Sequence, residues 1–149
     1  MADPQPGGPA ASLDDDGWLD IGDEGYLVDG QIVVCGRRKD VIIMGGRNIY
    51  PTDIERAAAT VDGVRDGNVA AVRLMAGDGV ARESFAVLVE SRLVGGQAAE
   101  QALRDAIVNR VVADVDARPA SVVVLPPGSL PKTPSGKLRR TAAHALIPR

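Results

Sequence analysis

The segment Pro131-Lys132-Thr133-Pro134-Ser135-Gly136-Lys137-Leu138-Arg139-Arg140 sets a lysine directly after a glycine, at the end of a loop pinned by two prolines. The chemistry such a segment serves is anion binding. Proline restricts φ, Gly136 permits a backbone turn that other residues resist, and the hydroxyls of Thr133 and Ser135 can hydrogen-bond backbone or phosphate. Lys137 held this way is a positioned point charge. The same composition also suits a solvated turn leading into a helix, so the loop by itself leaves both readings open. It is not a P-loop: Leu138 stands where a Mg²⁺-binding Ser or Thr belongs, and Pro131 occupies the place of the first glycine.

A second cluster, Gly36 to Glu55, lies upstream. Arg37-Arg38-Lys39-Asp40 places four charges between two apolar runs. They cannot all be buried, which predicts an exposed joint between structured pieces, either a plain linker or a functional one. Asp20-Ile21-Gly22-Asp23 comes before this joint and Gly45-Gly46 after it.

The elements that must position these residues follow from pattern. Met1 to Ser12, rich in Pro, Gly and Ala, predicts a disordered leader. Gly17 to Leu27 and Gln31 to Cys35, joined by Val28-Asp29-Gly30-Gln31, predict a β-hairpin. Asp40 to Met44 is a short β-rich run. Thr52-Asp53-Ile54-Glu55 has the form of a capping box, so a helix is expected from about Pro51 to Thr60. Strands are expected over Asn68 to Met75, Glu83 to Ser91 and Ser121 to Leu125. A long helix from about Gln97 to Asp114 carries Ala99, Leu103, Ala106, Ile107 and Arg110 at helical spacing, and a last helix is expected from about Lys137 to Leu146. The fold class is therefore α+β: a small sheet of about three strands packed with helices, preceded by a short hairpin.

Composition bounds the function. The chain of 149 residues suffices for one ordinary domain, and its 45% hydrophobic and 25% charged content is that of a soluble globular protein. A net charge of -3, with one Phe, one Trp and two Tyr, offers neither the basic field nor the stacking platform that nucleic acid requires. No apolar run approaches the length of a membrane span. The single Cys35 permits no intrachain disulfide, and residues 1–12 carry neither the basic nor the apolar part of a signal peptide. The expected location is the cytoplasm. Cys35 is read as an inert thiol in a strand, His144 as a surface or capping residue and Trp18 as a packing anchor; Arg139-Arg140 is either a solvated helix start or a contact for an acidic partner.

Taken together and in order, these segments resemble the C-terminal part of the adenylate-forming enzymes, the superfamily of acyl-CoA synthetases, peptide-synthetase adenylation domains and luciferases. The resemblance covers about Trp18 to Arg140 and implies a lid domain, 39–149, preceded by the tail of an N-terminal adenylation domain, 13–38. Gly22-Asp23 with Gly25-Tyr26 is similar to the family's Thr-Gly-Asp segment, which implies that Asp23 holds the ribose hydroxyls of ATP; Ile21 stands where the family has Thr. Gly36 to Asp40 resembles the hinge motif, with Arg37 contacting the nucleotide and Lys39 as the pivot. Pro131 to Arg140 resembles the last core motif, in which Lys137 would bridge the substrate carboxylate and the α-phosphate. Gly45-Gly46 would form the loop that faces the thiol acceptor in the second orientation.

Arg47-Asn48, Tyr50-Pro51 and Asp53, with Gly128-Ser129-Leu130-Pro131, resemble the long-chain fatty acyl-AMP ligases. That likeness implies activation of a fatty acid with ATP to acyl-AMP and pyrophosphate, then acyl transfer to the phosphopantetheine thiol of an acyl carrier protein or polyketide synthase. Two alternatives stay open: a fatty acyl-CoA synthetase lid with CoA as acceptor, and a non-catalytic docking module for a carrier protein. ATP and Mg²⁺ would be bound mainly by the N-terminal adenylation domain, expected as several hundred residues ahead of Trp18. The lid, whose core patterning is complete, is expected to fold alone but to be inactive alone, and no metal ligand set is expected in it.

Overall fold

Three apolar runs pair into one sheet at the centre of the chain. The computed structural model describes residues 23–28, 31–37 and 40–148, the first two stretches as backbone. The leader 1–12, Trp18, Gly22, the Asp29-Gly30 turn, Arg38 and Lys39 lie outside the described residues, as do the side chains of Asp23, Cys35 and Arg37. Chain contacts separate one unit, Met1–Lys39, from a second, Asp40–Arg149.

In the first unit β1 (Asp23–Val28) and β2 (Gln31–Arg37) form an antiparallel hairpin. Its register shifts between Glu24 and Gly25, and Asp23 pairs with Arg37 at the open end.

The second unit begins with a smaller hairpin. β3 (Ile42–Met44) and β4 (Arg47–Ile49) are antiparallel, with Ile42 opposite Ile49 and both buried. The two-residue turn is Gly45-Gly46, at φ +58° and +77°. Positive φ at both central positions is the turn whose twist matches paired strands, and glycine adopts it without steric cost. The return strand β4 was not expected.

Helix α1 (Pro51–Ala59) follows at once. The capping box read from Thr52 and Glu55 does not form: Pro51 opens the helix, Tyr50 is its cap residue, and no side chain caps it by hydrogen bond. Proline suits that first position because its missing N–H would have no helical partner there. Glu55 is thereby left for a different task.

The main sheet has the order β5-β6-β7. β5 (Val69–Leu74) runs antiparallel to β6 (Ser84–Glu90), and β6 runs parallel to β7 (Ser121–Leu125), with α2 (Gln97–Val115) as the crossover that a parallel pair requires. β6 is buried from Phe85 to Glu90, which explains why its sequence shows no alternation. Phe85, Val87 and Val89 face a core with Ile54, Ala57 and Ala58 of α1 and Leu103, Ile107 and Val111 of α2. Ala86 and Leu88 face a second core with Leu130 and Ala143.

The last helix is shorter than expected. α3 spans Arg140–Ala143 and continues as a 3-10 turn over His144–Leu146. Lys137 precedes it outside any helix, because Leu138 pairs with Lys132 in an isolated bridge and Gly136 sits at φ +86°.

Candidate functional site

Lys137 stands on a closed arm. Within it the Thr133 amide donates to the Lys137 carbonyl (2.8 Å), the Gly136 amide to the Thr133 carbonyl (2.9 Å) and the Arg139 amide to the Pro131 carbonyl (3.0 Å). The Thr133 hydroxyl accepts from the Lys137 amide at 3.1 Å and lies 3.0 Å from the Ser135 hydroxyl. A Cβ on Gly136 would meet nothing within 4 Å, so glycine is needed there for its positive φ rather than for space. The result is an internally bonded tip with one exposed ammonium. Among the described residues that ammonium has no hydrogen-bond or ion-pair partner, whereas Lys132 Nζ donates to Asn68 Oδ1 at 2.6 Å.

Both roots of the arm end on carboxylates. At the leading root Glu90, 1% exposed, accepts from the Gly128 amide (2.7 Å) and Arg65 Nη1 (2.8 Å) on Oε1, and from the Leu130 amide (2.8 Å) on Oε2. At the trailing root Arg140 donates Nε and Nη2 to the two oxygens of Glu55, at 2.8 and 2.7 Å, and lies 3.8 Å from Asp40. This two-pronged geometry is the strong form of an arginine–carboxylate contact. It holds the guanidinium above its ordinary value, against the opposing effect of burial. Glu55 Oε2 also accepts from the Ala71 amide on the open edge of β5 (2.9 Å), covering a donor that an edge strand would otherwise expose.

Arg140 therefore begins α3 but is not a solvated helix start, since Glu55 and Asp40 engage it. Arg139 is exposed. Spacing gave no sign of Glu90 or Glu55 as supports. The one available signal was a glutamate closing the apolar run Phe85 to Val89, since a charge at a buried position demands partners.

The Gly45-Gly46 turn is fixed by its neighbours. Arg47 donates to the Val115 carbonyl (2.8 Å) and the Asp116 carbonyl (3.0 Å), placing its charge at the C-terminus of α2, where Asp116 caps the helix at φ +57°. A cation there is worth about 0.3–1 kcal/mol. The Ile43 amide donates to Glu83, which is also bonded by Arg73 at 3.0 Å. Asp23 and Arg37, 14 positions apart in sequence, are opposite one another in the β1–β2 register. His144 Nε2 lies 3.5 Å from Asp78 Oδ2. No helix among the described residues is long and apolar enough to cross a membrane.

Burial pushes the Glu90 and Glu83 carboxyls up, but the hydrogen bonds and the Arg65 and Arg73 charges outweigh it, and both end below the ordinary carboxylate value. Depressed folded values mean that their contribution to stability is complete above the unfolded pKa and is lost as pH falls through the folded one. Thermal melts should thus be nearly flat from pH 7 to about 5 and drop at lower pH, and Glu90→Gln should make the acid limb shallower. An acid limb unchanged in that variant would remove Glu90 as a cause.

No family model matches the chain. It is 58% identical over 142 residues to Rv1013 of Mycobacterium tuberculosis, named as a ligase, covering 95% of this chain and 26% of that protein. FadD21 of the same organism, named as a fatty-acid–CoA ligase, is 38% identical over 139 residues, covering 90% and 23%. FadD26 of Mycobacterium marinum, named as a long-chain-fatty-acid–AMP ligase, is 36% identical over 147 residues, covering 95% and 23%. The chain thus spans about a quarter of the curated relatives it matches. Among solved structures, one from a study of fatty acyl-adenylate ligases of E. coli and L. pneumophila superposes with a TM-score of 0.69 at 37% identity, over 87% of this chain and 22% of that one.

Proposed function

We propose, from the premise that this chain belongs with the C-terminal domains of the adenylate-forming enzymes, that it is the lid of a fatty acid ligase and supplies Lys137 to the adenylation step. The observation carrying this reading is the Lys137 ammonium, unpaired among the described residues, on an arm bonded internally and at both roots. In the reaction a carboxylate oxygen of the fatty acid attacks the α-phosphorus of ATP, an O–P bond forms, and the bond to pyrophosphate breaks. Two anions must meet. A lysine between them offsets their repulsion and stabilises the charge that builds on the phosphate oxygens.

Asp23 suits the ribose diol as an acceptor of two hydrogen bonds, and Arg37, its register partner, suits the same nucleotide. We assign Lys39 as the pivot, Gly45-Gly46 to the acceptor side, and the joint between 38 and 39 as the start of the lid. In the second step a thiol sulfur attacks the acyl carbonyl of the adenylate and AMP leaves. The acceptor we favour is a carrier-protein phosphopantetheine, on the likeness of residues 47–53 to the fatty acyl-AMP ligases and on the name of the FadD26 relative; the FadD21 name supports CoA instead. ATP and Mg²⁺ would be held mainly by the N-terminal adenylation domain.

The isolated 149-residue chain should make no acyl adenylate, since its residues form one wall of the site. ATP–pyrophosphate exchange with fatty acid and the purified chain is expected at the no-enzyme background. Fatty-acid-dependent exchange clearly above that background would overturn the lid reading.

A further inference from the structure

We propose that Glu90 is a positioning residue for Lys137, acting on it through the amides of Gly128 and Leu130; the inference rests on the role given to Lys137 above. Glu90 ends an otherwise apolar central strand and is 1% exposed. Its carboxylate does not reach solvent but spans to a segment 38 to 40 residues later, taking one amide on each oxygen. Arg65 supplies the neutralising charge at 2.8 Å. To hold strand and loop together an apolar side chain of similar size would serve at lower desolvation cost. What the carboxylate adds is direction, because two amide vectors bound to two oxygens fix the angle at which the backbone leaves the sheet.

That angle matters for what comes next. The chain turns at Gly128 (φ +87°), where the Ser129 hydroxyl donates to the Pro126 carbonyl at 2.6 Å, buries Leu130, and enters the arm at Pro131. The Arg139 amide closes the arm on Pro131, and Arg140 fixes its other root to Glu55. The arm cannot pivot at its leading root without breaking a charge-assisted bond to Glu90. Lys137 acts on a transition state only as well as its charge is placed, and displacement of about 1 Å is enough to cost up to a hundredfold in rate.

A double-mutant cycle in a full-length ligase carrying this chain separates positioning from mere stabilisation, with Glu90→Gln, Lys137→Ala and both together read by fatty-acid-dependent ATP–pyrophosphate exchange. Glu90→Gln alone should lower kcat about ten- to a hundredfold while changing KM for ATP less than about threefold. On the Lys137→Ala background it should add less than about twofold, because no lysine is left to misplace. Equal fold-losses on both backgrounds would overturn the proposal in favour of general structural damage. Full activity of Glu90→Gln beside a large loss in Lys137→Ala would overturn positioning and leave the lysine's role standing. An active Lys137→Ala would remove that role and this inference with it. Should Glu90→Gln fail to fold, Glu90→Asp, which keeps the charge and shortens the reach, takes its place under the same criteria.

Discussion

In a full-length ligase carrying this chain, Lys137→Ala is expected to lower adenylate formation by about two to three orders of magnitude, roughly 3 to 4 kcal/mol, the scale of removing one preorganised transition-state donor. Preorganisation is the reason for the size. The ammonium is carried by a tip whose backbone bonds are closed between Thr133 and Lys137, so little reorganisation is needed as charge develops. Transfer from preformed acyl adenylate should change far less if, as proposed, the arm leaves the phosphate in the second orientation. Lys132→Ala is the control, on the same arm and only five residues away. Its ammonium is already engaged by Asn68, so its loss should cost a few-fold in either step. Equal small losses for both lysines would return the arm to a solvated basic turn.

The second large effect is expected at the joint. Lys39→Pro should keep adenylation within a few-fold while slowing transfer to the thiol acceptor by about tenfold or more. Proline locks φ at its own position and disfavours helical backbone in the residue before it, which hinders a swing without needing to disturb the first orientation. Single-turnover measurement of the two half-reactions reads this directly. Equal losses in both would make the segment a passive linker.

The elements read best from sequence were those with an unmistakable period or a long apolar run. β5, β6 and β7 came within a residue or two of their observed ends, and α2 within one. β4 was missed although Gly45-Gly46 announced its turn, because three residues with a charge, an amide and one buried isoleucine carry no alternation. Thr52 and Glu55 imitated a capping box; the proline before Thr52 was the stronger signal, and it moved the cap to Tyr50. The later start of the last helix, beyond Lys137, was hidden because the Lys132–Leu138 pairing is a contact of tertiary context that local propensity does not report. The supports of the site were hidden for the same reason. Glu90 reaches Gly128 and Leu130, and Glu55 reaches Arg140, across separations of 38 to 85 residues that leave no mark in any window.

The parallel pairing of β6 with β7 also sets the sequence distance over which the sheet must close. β5 and β6 are joined by a short connection, whereas pairing β7 with β6 closes a longer loop that contains the whole of α2. Residues 126–140 lie beyond β7 in sequence, and their bonds to Glu90 and Glu55 span 38 to 85 residues. The segment bearing Lys137 depends on few long-range bonds and is expected to open locally while the sheet stays intact. Native-state hydrogen exchange should find the amides of Gly128, Leu130 and Arg139 exchanging by a lower-energy opening than those of Val87 and Leu88.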